Sequence, residues 1–308
     1  MAFVAESRGQ ETTSSTGIFL ADPTIYLNKD IYYLYGTSGN EGFLVYQSKD
    51  LKKWGSPAGR NNGYALSKSD SYGSIGFWAP QVFKHHDTYY MAYTADEQIA
   101  IAKSKHPLGP FKQNKLAPLS GIGKQIDPFI FFDSDEKPYI YYVRLNEGNR
   151  IYVSEMKSDL SDMIAGTARE CISGADTWEN TENTNWPVTE GPTVIKQGKY
   201  YYLIYSANDF RSKDYAVGYA IAESPLGPWK KHHGNPIISK KTLKANGTGH
   251  GDLFKDKSGN YRYVLHTHHT AETVSPRRTA LVDLKFIEQP NHPALLISDN
   301  SSFRLLLP

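Results

Sequence analysis

Five stretches of the chain repeat one pattern, and that repetition restricts the fold more than any other feature. The copies read DPTIYLNKDIYYLYGT from Asp22, APQVFKHHDTYYMAYT from Ala79, DPFIFFDSDEKPYIYYVR from Asp127, GPTVIKQGKYYYLIYS from Gly191 and GDLFKDKSGNYRYVLHT from Gly251. Each opens on a small or acidic residue, usually with proline next. A short apolar strand, a polar turn and a tyrosine-dominated second strand follow. A third apolar segment trails each copy, as in LVYQSKDLKKW, IAIAKSKHPLGPF and GYAIAESPLGPW. Successive copies start 57, 48, 64 and 60 residues apart. Three strand signals with room for a fourth, repeated at that spacing, predict propeller blades rather than a sandwich. No long segment has helical periodicity. The expectation is an all-β chain: a single five-bladed β-propeller over residues 17–308, with an axial site and no β-sandwich module after it. The polar residues 1–16 ahead of it are expected to be disordered.

Composition removes several function classes. The 34 basic and 32 acidic residues leave a formal charge of +2, so nothing attracts the chain to nucleic acid or to an anionic membrane. The one cysteine, Cys171, rules out an intramolecular disulfide or a cysteine-based zinc site and is expected to be a lone buried thiol. No segment has the apolar length of a membrane span. The start MAFVAESRGQ lacks the apolar stretch of a signal peptide; the chain then stays in the cytoplasm, or is secreted or periplasmic with its signal already removed. A monomer is expected. The 22 Tyr, 13 Phe and 5 Trp suit strands and sugar-binding surfaces equally.

A propeller brings the starts of its innermost strands together at the axis. Those positions hold Asp22, Ala79, Asp127, Gly191 with Glu190 before it, and Gly251 with His250 before it. Singly, an Asp before Pro is a turn opener and Glu190 a solvated loop residue. Three carboxylates on one repeat register point instead to a paired-carboxyl site. Like charges brought together also push a pKa upward, as a general acid requires.

On ADP at 21–23, WAPQV at 78–82, IDPFIF at 126–131, EGP at 190–192 and GTGHGDLF at 247–254, the chain resembles glycoside hydrolase family 43. The resemblance covers nearly its whole length. Invertase-like propellers usually place cysteine after the acid glutamate, where this chain has Gly191. The resemblance implies an inverting hydrolase with Asp22 as general base and Glu190 as general acid. Asp127 would raise the pKa of Glu190 and orient it. Trp78, with Phe77 before it, stands one position ahead of the blade-two strand and would stack on a sugar ring or pack between blades; His250 holds the equivalent place in blade five as a further sugar contact. Arg278 would bond the sugar, with the adjacent Arg277 as competing candidate. No cofactor is required; a structural Ca²⁺ near the axis, reached by His250 through water, is the metal the resemblance allows. The expected activity is exo-acting release of α-L-arabinofuranosyl or β-D-xylosyl units from plant-type carbohydrate. Galactosidase, galactofuranosidase or endo-arabinanase activity stays open, as does a sugar-binding propeller without catalysis.

Other segments carry weaker signals. The long insertion at 171–190 leads into Glu190 and is expected to shape the leaving-group side, with Trp178 and Trp186 as sugar platforms or loop anchors. GTGHG follows no strand–helix pattern, which excludes a phosphate cradle. Alternation sends His266 and His268 to one face of a strand, as structural or rim histidines.

Overall fold

The computed structural model describes residues 17–308, so the expectation for residues 1–16 lies outside the described residues. Five antiparallel sheets follow one another along the chain. The first holds β1 (Ala21–Asn28), β2 (Ile31–Thr37), β3 (Gly42–Ser48) and β4 (Tyr64–Ser67). The second holds β5 (Trp78–His85), β6 (Thr88–Ala95) and β7 (Gln98–Ser104). The third contains β8 (Gln125–Phe132), β9 (Pro138–Leu145), β10 (Asn149–Glu155) and β11 (Arg169–Ile172). The fourth contains β12 (Thr189–Gln197), β13 (Tyr200–Ala207), β14 (Ala216–Ala222) and β15 (Lys230–Lys231). The fifth is β16 (Gly249–Lys255), β17 (Tyr261–Thr267), β18 (Arg278–Gln289) and β19 (His292–Leu305). The first strands touch in a closed ring, β1 to β5 to β8 to β12 to β16 and back to β1. The chain is the five-bladed propeller that its repeat predicts. Four blades have the fourth strand; blade two replaces it with a single bridge between Lys103 and Lys112.

The tyrosine-rich second strands explain how the blades adhere. Alternation exposes both faces of a blade to its neighbours, and the apolar core divides into five clusters, one at each blade–blade interface. Tyrosine suits this role because its hydroxyl can be satisfied at the far end of a buried ring. Tyr35 donates to the Pro107 carbonyl and Tyr141 to the Pro225 carbonyl, each at 2.6 Å. Both acceptors belong to the PLGP turn that recurs in the third segment of the repeat. Each such bond contributes about 1 kcal/mol and gives that turn a fixed seat. Ile18 lies between blade-five residues at the ring's closure, its N–H on the Leu306 carbonyl and its carbonyl on the Thr279 N–H.

Candidate active site

Every innermost strand breaks its register at the same place. The shifts fall between Ala21 and Thr24, Trp78 and Gln81, Ile126 and Phe129, Glu190 and Thr193, and Gly249 and Asp252. The residue just inside each shift has a left-handed backbone: Asp22 (φ 48°), Ala79 (46°), Asp127 (55°), Gly191 (60°) and His250 (38°). A bulge of this kind bends a strand and re-aims its side chains, here toward the axis. The shared geometry also corrects the repeat alignment. His250 itself, not Gly251, is the blade-five equivalent of Asp22 and Asp127. Trp78 and Glu190 are equivalent to each other, one residue earlier.

An L-residue in the left-handed region is strained by about 1–2 kcal/mol, and the strained N–H groups are held across blade boundaries. Ala79 N–H donates to Thr37 Oγ1 (3.0 Å), Asp127 N–H to Thr94 Oγ1 (2.9 Å), His250 N–H to Ser206 Oγ (2.7 Å) and Asp22 N–H to His266 Nδ1 (3.2 Å). Each acceptor sits on the second strand of the preceding blade, opposite the residue before its bulge. In blade three that position is Val143, which cannot accept. There the Asp127 carboxylate takes over and accepts the Gly191 N–H through Oδ2 at 3.2 Å.

Asp22 faces cationic and polar groups. Arg277 Nη1 donates to its Oδ1 at 3.0 Å, and the Thr37 hydroxyl donates to its Oδ2 at 2.7 Å. The Nδ1 atoms of His250 and His266 each lie 3.4 Å from Oδ1. Burial pushes the Asp22 carboxyl upward, but Arg277, the two imidazoles and Thr37 outweigh it and leave the group well below the usual carboxylate range. Burial also lowers both histidines, His266 strongly. With both imidazoles pushed toward the neutral form, Arg277 is the largest offset to the burial of Asp22.

Glu190 meets only uncharged partners. The Tyr215 hydroxyl donates to Oε1 and Asn149 Nδ2 to Oε2, both at 2.8 Å. Burial raises this carboxyl to about 7; the two donors pull against it and the Asp22 and Asp209 charges add to it. Asp127 is itself held well above the carboxylate range, by burial first and then by Glu190 and Asp22. The upward push on Glu190 expected from Asp127 comes instead from burial first, with Asp22 and Asp209 as the raising charges. Asp22, Asp127, Glu190, His250 and Arg277 line one cavity of ≈ 380 Å³ with Trp78, Trp186, Asn149 and the segment 209–211. Beneath it the axis narrows to a space of ≈ 30 Å³ between the bulges, room for about one water. Asp252 borders that space, its carboxyl raised to about 6 by burial although the Thr24 hydroxyl donates to Oδ2 at 2.6 Å.

Not every residue singled out in the sequence reaches the cavity. Phe77 does not: it is fully buried in the blade one–two core, stacked on Tyr93 at 6.0 Å and edge-on to Phe43. Strand alternation turns it away from its neighbour Trp78, which is 37% exposed and does line the cavity. Arg278 is also corrected. It opens β18 opposite Thr267, while the preceding Arg277 turns inward to Asp22. Trp178 packs on Tyr205 as a loop anchor, whereas Trp186 is 48% exposed at the cavity wall. Cys171 is half-buried against the blade three–four core. The described residues around His250 offer Ca²⁺ no direct shell of oxygen ligands. The ion takes six to eight oxygens, whereas His250 offers nitrogen and the nearby Asp22 and Asp127 carboxylates are held by Arg277, Thr37 and the Gly191 N–H. Tyr215 and Asn149 are the site residues that motif reading missed, and His266, read there as a structural or rim histidine, is buried beside Asp22. His266 had a readable signal: it aligns with Thr37, Thr94 and Ser206 at the end of the second strand.

Comparison with known proteins agrees with this geometry. The model of glycosyl hydrolases family 43 matches residues 16–288. The chain belongs to glycoside hydrolase family 43. Among family 43 structures, an endo-1,4-beta-xylanase from Bacteroides thetaiotaomicron superposes with a TM-score of 0.85 at 37% identity, over 96% of this chain and 99% of that one. A thermostable family-43 glycoside hydrolase gives 0.82 at 37%, over 94% and 96%. A xylosidase/arabinosidase of Butyrivibrio fibrisolvens is 30% identical over 80% of this chain and 49% of its own length. The chain therefore spans about half the length of that curated relative. It covers 80% of a beta-D-galactofuranosidase of Aspergillus niger, at 25% identity. Family 43 enzymes are glycosidases of inverting mechanism.

Proposed function

We propose that the protein is an inverting glycosidase that removes terminal β-D-xylosyl or α-L-arabinofuranosyl units from plant-type carbohydrate. One observation carries the reading. A single cavity is walled on one side by a cation-paired carboxylate, Asp22, and on the other by a carboxyl held only by neutral donors, Glu190. Two carboxyl groups pushed apart in this way are the signature of a base and an acid working together.

With a terminal pentosyl ring in the cavity, ionised Asp22 takes a proton from a water molecule. The water oxygen bonds to the anomeric carbon from the face opposite the leaving group. The bond to the leaving oxygen breaks, and Glu190 delivers its proton to that oxygen. Asp22 ends protonated and Glu190 ionised, and exchange with solvent restores both. Attack from the opposite face inverts the anomeric configuration. Trp78 offers an indole face to the apolar side of the sugar, and Arg277 holds Asp22 ionised while reaching the same cavity. Asp127 orients the acid through the backbone, since its carboxylate accepts the N–H of the residue directly after Glu190.

The pentoside preference draws on the xylosidase/arabinosidase relative. Similarity to the endo-1,4-beta-xylanase of Bacteroides thetaiotaomicron supports a second reading, internal cleavage of xylan. A panel of aryl glycosides and xylo- and arabino-oligosaccharides, with the first-formed anomer followed by NMR, tests both. Turnover of a pentoside with an inverted product that disappears in Asp22→Asn is expected. A retained anomer overturns the mechanism. Mid-chain products from xylan favour the second reading.

A further inference from the structure

The acid is wired to the loop on the leaving-group side, and the wire has a direction. Trp186 Nε1–H donates to Asn149 Oδ1 at 2.9 Å, and Asn149 Nδ2 donates to Glu190 Oε2 at 2.8 Å. An indole nitrogen is a donor only, whereas an amide offers an acceptor at one end and a donor at the other. The indole therefore forces the amide oxygen toward itself and the amide NH₂ toward the acid. On the other side, the Tyr215 hydroxyl has no partner among the described residues except Glu190 Oε1, so its hydrogen points at the carboxyl as well. Both oxygens of Glu190 thus face hydrogen-bond donors. Among the described residues the Glu190 carboxyl has no further hydrogen-bond partner, so its own proton is left the open cavity.

The two ends of this wire are sewn together by backbone. Asn149 N–H donates to the Pro187 carbonyl at 2.9 Å, and the Thr189 hydroxyl donates to the Asn149 carbonyl at 3.0 Å. Gly148 permits the approach: its φ is 126°, and a Cβ there would meet the Pro187 oxygen at 2.5 Å. The Thr184 hydroxyl bonds the Trp186 carbonyl, and Asn180 in turn holds Thr184. The indole is held from behind while about half of it stays exposed at the cavity wall.

We propose that Trp186 is a positioning residue on the leaving-group side which, by fixing the Asn149 amide, keeps the proton of Glu190 aimed at the glycosidic oxygen. This rests on the reading of Glu190 as the acid. Without the indole N–H the amide is free to turn over. Asn149 Oδ1 then accepts the acid's proton and holds it away from the substrate. The exposed indole face provides a stacking surface for the first leaving-group sugar, so platform and proton aim share one side chain.

Trp186→Phe separates the two roles, because it keeps a ring and removes the N–H. The assay compares a phenyl glycoside, whose poor leaving group needs the proton, with a 2,4-dinitrophenyl glycoside of the same sugar, which needs it little. The expected result is a kcat loss on the phenyl substrate that exceeds the loss on the dinitrophenyl substrate by about tenfold or more, with KM for an oligosaccharide changed little. Trp186→Ala adds a rise in that KM. Asn149→Ala reproduces the leaving-group-dependent loss and serves if the tryptophan variants misfold. An unchanged ratio of the two kcat values in Trp186→Phe overturns the proposal.

A second readout needs no turnover. Difference infrared titration of the Glu190 carboxyl, identified through Glu190→Gln, is expected to shift to higher pH in Trp186→Phe, because a donor to the charged form is replaced by an acceptor of the proton. An unmoved titration overturns the proposal even if the wild type proves inactive on both glycosides. That inactivity would by itself count only against the proposed function.

Discussion

On the blade-one side of the cavity Asp22 meets a guanidinium, two buried neutral imidazoles and a hydroxyl. On the blade-four side Glu190 meets a phenol and an amide. Both carboxyl groups are buried, and burial alone would raise both. The single cation of Arg277 sends one down while the other stays up. The bulges are alike, but Asp22 occupies the left-handed position and Glu190 the residue before it, so the two meet different neighbouring segments. On the proposed roles, one kind of bulge with different partners makes a base and an acid from one kind of side chain.

The sharpest way to break this contrast is to neutralise each carboxyl in turn. Asp22→Asn is expected to lower kcat/KM on every glycoside by about 10³-fold or more, whereas Glu190→Gln spares substrates with activated leaving groups. Equal losses on activated and unactivated substrates would assign the roles wrongly. Next in size is removal of the cation. Arg277→Met removes the largest opposition to the burial of Asp22, so its carboxyl rises and the acid limb of the pH–rate profile moves to higher pH. Arg278→Met is expected to leave that limb in place. An identical shift in the two variants would restore the competing arginine.

Tyr215→Phe probes the other wall. Glu190 must be protonated to act, so activity falls as pH rises through about 7. Losing a donor to the ionised form moves that alkaline limb upward by about one unit, and a limb that stays or falls would contradict the hydrogen-bond account. The smallest effect concerns Asp252, a carboxyl with hydroxyl donors and no cation, below the cavity. Its pKa is raised in the fold, so the native state binds the proton more tightly than the unfolded chain. Its contribution to stability then declines as pH rises from 3.8 to about 6. Urea unfolding of Asp252→Asn across that window is expected to lack this decline.

The blade period and the three carboxylates were legible because a propeller converts sequence spacing directly into position around an axis. The bulge was not, since a one-residue register break leaves no local pattern; His250 was aligned one place early for that reason. Phe77 was misplaced because its neighbour Trp78 faces the cavity and alternation sends Phe77 into the core. The two arginines could not be separated, as the strand begins between them and only one side chain turns inward. Asn149 reads as a hairpin residue beside Gly148. Its role depends on Trp186 and Glu190, 37 and 41 positions later, in an insertion that no repeat unit predicts.

The partners of Asp22 carry a consequence for how the protein is made. Arg277 and His266 lie 255 and 244 positions along the chain from Asp22, the proposed base. Contacts of such separation form late, since loop closure precedes any gain from them. A nascent chain with four finished blades already displays Asp22, Asp127 and Glu190, yet Asp22 has no counter-ion and no neutral imidazole behind it. Activity therefore reports the closing of the ring rather than the folding of any blade. In refolding from urea, tryptophan fluorescence is expected to recover before turnover does, and a simultaneous return would mean that the blades and the ring form in one step.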